Sequence, residues 1–228
     1  MAFFTELSDA TELARAELLS APIIGRCLRK EISLDDYVAF LVQAYHHVKH
    51  TTPLLMAAGA RLPAEKEWLR NAVAEYIEEE LGHQEWILND IANCGYDKEF
   101  VRHMRPHAST ELMVAYAYDM IQRVNPMGFF GMVHVLEGTS INLADKIADA
   151  VRDTLGMSKS AFTYLYSHGS LDQQHVLFFE SLMDRIEDER EQELIIHTCK
   201  MFYGLYGNIF FALKPHHGVP SLLKQAQA

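Results

Sequence analysis

The chain has 228 residues, 49% of them hydrophobic, and a formal net charge of −11. That length supports one substantial core better than two. The acidic balance, with Lys and Arg scattered, excludes nucleic acid and anionic membrane surfaces as partners, because both need a basic face. The three cysteines, Cys27, Cys94 and Cys199, are odd in number and widely spaced, as expected of reduced thiols in a cytoplasmic protein. The opening Met-Ala-Phe-Phe-Thr-Glu lacks the basic-then-apolar pattern of a secretory signal. No apolar run approaches the ~18 residues of a membrane span, so a soluble protein is expected.

Hydrophobic spacing is helical nearly throughout, and no run alternates as a strand would. The first helix covers about Thr5 to Leu19 and ends before Pro22. The second starts at the cap Ser33, with Asp36 three residues on, and runs to about Ala58 before Gly59. Pro63 opens a third, which closes at Cys94-Gly95. A short helix near Lys98 to Met104 follows, and Ser109 caps another to Arg123. Asn125-Pro126 begins a long helix to about Leu155, stopped by Gly156. One helix then spans Ser158 to about Arg185, and a last one runs from Ile186 to Leu213 before Pro215, with a loosely ordered tail from His216. One all-α domain over residues 1–228, with about seven helices, is the expected architecture.

On the Ser158 helix, positions 161, 165, 168, 172, 175, 179 and 182 form one buried stripe. The stripe reads Ala161, Leu165, His168, Asp172, His175, Phe179, Leu182. Three ionisable residues occupy places where a helical core wants apolar ones, and burying each unpaired costs roughly 2 to 7 kcal/mol. The same test on the third helix gives Val73, Tyr76, Glu80, His83, Ile87, with Glu78 and Glu79 turned to solvent. On the Pro126 helix it gives Phe130, His134, Glu137, Ile141, Ala144, Ala148, and on the second Phe40, Ala44, His47, Thr51, Leu54.

Four helices therefore each bring an oxygen or nitrogen donor into a seam: Glu80, His83, Glu137, His168, Asp172 and His175, with His47 and its neighbours His46 and His50 as further candidates. Three carboxylates nearly balance two divalent ions, and the count exceeds one tetrahedral zinc. Carboxylate and imidazole without thiolate suit iron, with manganese the alternative, so a dinuclear non-haem iron site is expected. The plainer readings are a hydrogen-bonded polar network, a surface pair of Glu80 with His83, and a bracing role for Glu137. His134 and His197 read as hydrogen-bonded core histidines, and the cysteines as packing residues.

The His-x-x-x-Asp-x-x-His stretch His168, Asp172, His175, the Glu80-x-x-His83 pair and Glu137 between them resemble the haem-oxygenase-like diiron oxidase family, within the superfamily of thiaminase II and pyrroloquinoline quinone synthase. The resemblance spans about Tyr37 to Arg185 and implies a haem-oxygenase-like bundle. It also implies that Glu80, His83, Glu137, His168, Asp172 and His175 are iron ligands. Where some members add a carboxylate from the earlier helix, this chain offers His46 or His47.

The expected activity is activation of dioxygen by two ferrous ions to oxidise a small organic acid or amine, in a monomer or homodimer. Aromatic residues, among them Tyr45, Tyr76, Phe129, Phe130, Tyr164, Phe179, Phe202 and Tyr206, are candidates to line a cavity, with Lys49 or Lys146 as carboxylate anchors. The alternatives are a metal-free hydrolase of the thiaminase II type, which needs a cysteine nucleophile beside an acid, a cofactorless quinone-synthase-like oxidase, and a non-catalytic metal-binding or partner-binding module.

Overall fold

Capping chemistry sets where the helices begin. Ser33 Oγ accepts from the Asp36 amide at 3.1 Å and Asp36 accepts from the Ser33 amide at 3.0 Å, closing a capping box. Arg26 adds an ion pair to Asp36 at 2.6 Å. Asp97 and Asp188 cap two further helices with their carboxylates. His107 caps the helix that the sequence assigned to Ser109, its Nδ1 accepting from the Ser109 amide.

The computed structural model describes residues 2–214, apart from the side chains of Asn142 and residues 168–174. The expected end at Pro215 and the tail from His216 therefore lie outside the described residues. Eleven α-helices and no strand occur among the described residues: α1 (Phe3–Leu19), α2 (Pro22–Leu28), α3 (Leu34–Val48), α4 (Thr51–Arg61), α5 (Glu67–Glu80), α6 (His83–Asn93), α7 (Lys98–His103), α8 (Ala108–Asp119), α9 (Phe129–Leu155), α10 (Thr163–Met183) and α11 (Glu189–Ala212). A five-residue π turn at 120–124 extends α8.

The helix count exceeds the expected seven for three local reasons. Pro22 opens a helix at its first position as well as following the end of α1. The second predicted helix breaks at Lys49-His50. Gly59, read as its stop, lies inside α4, where an added Cβ would come 3.1 Å from Val73 Cγ1 of α5; the glycine serves close packing. The third predicted helix breaks at Leu81-Gly82, where Gly82 takes φ +90°, a conformation glycine adopts without strain. Glu80 thus ends α5 and His83 starts α6.

Helix α9, stopped by Gly156 at φ +62° as the sequence indicated, is the central element. It packs against α10 and α11, while α1 packs on α11, α3 on α6 and α4 on α5. The start of α10 is held from α6 by Asp90. Its fully buried carboxylate accepts from the Thr163 amide at 3.0 Å, the Thr163 hydroxyl at 2.7 Å and the Tyr164 amide at 2.9 Å. That side-chain cap from another helix fixes where α10 enters the bundle. No helix among the described residues is long and apolar enough to cross a membrane.

The contact between α9 and α11 depends on Gly131, since a Cβ there would lie 2.6 Å from the Cys199 amide nitrogen and collide with Thr198. Gly131→Ala should therefore lose about 1 to 3 kcal/mol in denaturant unfolding. The control Gly138→Ala, whose methyl meets only the Tyr203 hydroxyl at 4.0 Å, should be neutral or stabilising. Equal stability of the two variants would contradict the close-packing assignment.

Candidate metal centre

The break after α5 places a carboxylate and an imidazole at one corner. His83 Nδ1 lies 3.0 Å from Glu80 Oε2, with the histidine 3% and the glutamate 11% exposed. Trp86, one turn on, stacks its ring on His83 at 4.0 Å between centroids. The pair is buried, unlike the surface pair considered above.

From α9 and α10 come Glu137 and His175. Their side chains are 12% and 6% exposed, and His175 Nδ1 lies 3.9 Å from Glu137 Oε1. The other ring nitrogen, Nε2, is 2.8 Å from Glu79 Oε2. Glu79 was expected to face solvent, and half of it does. Its carboxylate nonetheless reaches the imidazole from the last turn of α5, an inter-helix contact invisible to single-helix phase.

Tyr76 joins the two corners. Burial, followed by the carboxylates of Glu137, Glu79 and Glu80, holds its hydroxyl far above the ordinary phenol range. Three acids from α5 and α9 thus crowd one buried phenol, and the Tyr76 ring meets the His175 ring edge-on at 5.7 Å. Glu80 and Glu137 also line a common cavity of about 90 Å³ with His47, Tyr76, Phe129, Tyr164 and Tyr206. His47 is 3% exposed and packs edge-on against Tyr206. His46, also buried, is turned to Lys49, whose Nζ lies 3.1 Å from its Nδ1.

The side chains of His168 and Asp172, two of the expected ligands, lie outside the described residues. Among the described residues, no group of three or more His, Cys, Asp and Glu is placed closely enough to hold a metal ion. Glu80, His83, Glu137 and His175 instead converge as two neighbouring pairs, with His47 on the shared cavity wall. This donor set of carboxylate and imidazole without thiolate fits a hard or borderline divalent ion such as ferrous iron. Glu80 and Glu137, the two largely buried acids beside this phenol, are the charges that a cation would neutralise.

Beyond Ser140, Tyr164 and Tyr206, shared by both spaces, lies a second cavity of about 80 Å³ lined almost entirely by apolar side chains, including Phe40, Leu143 and Ala144. On the other face of Glu137, a third space of about 240 Å³ is bounded by α1, α9, α10 and α11. Of the aromatics singled out in the sequence, Tyr76, Phe129, Tyr164 and Tyr206 border the first cavity and Phe179 the third. Tyr45, Phe130 and Phe202 belong to the packed core. Lys146 is exposed, and Lys49 is engaged by His46 and lies over the Tyr45 ring, so neither faces these cavities.

Residues 38–207 match the family model described as iron-containing redox enzyme. The chain belongs to this family of iron-containing redox enzymes. Sequence comparison with curated proteins finds no match. Among solved structures, the family member is similar to a domain of unknown function with a heme oxygenase-like fold from Shewanella denitrificans, at 20% identity and TM-score 0.82, covering 93% of this chain and 92% of that one. It is similar to a TenA homolog from Pseudomonas syringae pv. tomato, at 13% identity and TM-score 0.77, covering 92% and 91%. Heme oxygenase-1 from Synechocystis, solved with heme, matches at 9% identity and TM-score 0.74, covering 94% and 93%. These likenesses establish the haem-oxygenase-like fold expected from the sequence.

The cysteines are all buried and free. Burial pushes the Cys27 thiol up to about 11, and those of Cys94 and Cys199 up to about 12. A thiol so held is a poor nucleophile near neutral pH. Native protein at pH 7.5 should therefore resist iodoacetamide at all three positions, while urea-unfolded protein is alkylated fully. Rapid modification of one native cysteine, followed by mass spectrometry, would contradict this.

Proposed function

We propose that this family member is a non-haem iron oxidase or oxygenase, using dioxygen to oxidise a small organic substrate at the junction of α5, α6, α9 and α10. The observation that supports it most is that four separate helices bring Glu80 with His83 and Glu137 with His175 into two neighbouring, largely buried acid–imidazole pairs. Those four residues would hold iron, with His168 and Asp172 added on the strength of the sequence pattern and His47 facing the same cavity. When bound, two ferrous ions would supply the electrons that dioxygen must accept.

The chain's own residues supply orientation and shelter. Glu79 fixes the His175 ring through Nε2, leaving Nδ1 on the side of Glu137. Stacking on Trp86 fixes the plane of His83. Tyr76 stays protonated beside Glu137, so its hydroxyl can donate a hydrogen bond and withholds a further negative charge. The second cavity adjoins the first at Ser140, Tyr164 and Tyr206, and its apolar walls offer water few hydrogen bonds. A hydrolase of the thiaminase II type is less well supported, because each cysteine thiol is held protonated by burial.

Protein produced with iron should carry the metal and consume oxygen once reduced. His175→Ala and Glu137→Ala should each abolish iron-dependent oxygen uptake. Glu79→Ala, which touches the ring from behind, should weaken iron affinity by roughly 10- to 100-fold while leaving the circular dichroism unchanged. Iron content and oxygen uptake equal to wild type in the His175 and Glu137 variants would refute the proposal.

A further inference from the structure

The space on the α1 side of Glu137 has a wall chemistry that the metal centre does not use. Arg15 borders it half-buried and makes no ion pair with any described residue, in a chain with 31 acidic and 20 basic residues. Its guanidinium acts electrostatically on both His134 and Tyr203. Those two side chains are 8% and 1% exposed, and neither hydrogen-bonds to a described residue. His134 was read in the sequence as a hydrogen-bonded core histidine; it instead lies among the rings of Phe4, Phe179 and Tyr203 and borders this space. Burial, then Arg15, push its pKa down to about 4, so the ring is neutral near pH 7.

With the Ser8 hydroxyl, also on this wall, Arg15, Tyr203 and His134 offer a guanidinium, two hydroxyls and one ring N–H. That set of donors matches a group that only accepts and carries negative charge. An amine would meet the Arg15 charge, and a neutral body alone would leave the guanidinium without a counter-charge. The rest of the wall, Phe4, Ile141, Val176 and Phe179, is apolar. Glu137 lines the same space, so a ligand held at Arg15 occupies a pocket that one of the centre's carboxylates borders.

We propose that this pocket binds a small carboxylic acid, its carboxylate on Arg15, Ser8 and Tyr203 and its apolar body directed at Glu137. The acid is then the substrate class, and it reaches the iron site from the α1 side while the apolar cavity beyond Ser140 stays free of it. The role as substrate rests on the function proposed above, whereas the binding does not.

The test uses hexanoate as the probe and metal-free protein, so that failure of the iron reading leaves it intact. Isothermal titration should show hexanoate binding to wild type, and hexanamide binding at least tenfold more weakly. Arg15→Met, which keeps the aliphatic stem, should weaken hexanoate about tenfold or more and bring it level with hexanamide, with an unchanged circular dichroism spectrum. Arg15→Lys should recover part of the loss. Ala144→Phe, which fills the apolar cavity instead, should leave hexanoate affinity within twofold. The proposal is overturned if wild type fails to bind hexanoate, if binding needs iron, if Arg15→Met binds as wild type does, or if inorganic phosphate binds as tightly as the acid.

Discussion

Glu80 and Glu137 are carboxylates taken into the interior of a helical bundle, where a bare charge costs several kcal/mol unless a donor or a cation meets it. Much of the architecture meets that constraint. Gly82 turns the chain so that His83 comes back beside Glu80, and Asp90, further along the same helix, fixes the start of α10. Helix α10 in turn carries His175 to Glu137. Remove the turn at Gly82 and a continuous helix would still space Glu80 and His83 by three residues. Their axes would then be parallel, and α6 could not leave α5 to pack on α3 and α10.

The same constraint explains the two different spaces flanking Glu137. Beyond Ser140, Tyr164 and Tyr206, on the side of His47, the walls become almost entirely apolar. Toward α1 the walls carry Arg15, His134 and Tyr203, whose donors have no use in the packing. Glu137 lines both the cavity shared with His47 and Glu80 and the pocket that holds Arg15.

Much of this was legible in the sequence because burial imposes a period. An interior stripe interrupted by Glu, His or Asp stands out against Val, Ile and Phe, which is how Glu80, His83, Glu137 and His175 are found without coordinates. Gly156 marks the end of α9 and Ser33 with Asp36 the start of α3, since both act on backbone within a few residues of themselves. The breaks at Lys49-His50 and Leu81-Gly82 escaped the reading, because a helix that bends between two packing partners keeps its hydrophobic phase on both sides. Gly59 was misread as a stop because glycine also serves close approach between helices. Glu79 was missed since its contact to His175 lies between helices. Arg15 could have been found: Phe4, Ser8, Thr11 and Arg15 follow helical spacing, and an arginine continuing a stripe that includes the buried Thr11 is the same kind of anomaly as His175.

The most direct measurement is a crystal structure of iron-loaded protein with anomalous diffraction recorded at the iron edge. The account predicts anomalous peaks bounded by Glu80, His83, Glu137 and His175, with the carboxylates and imidazoles turned to them. Fully iron-loaded crystals with those four side chains paired only to one another and the anomalous signal elsewhere would contradict it.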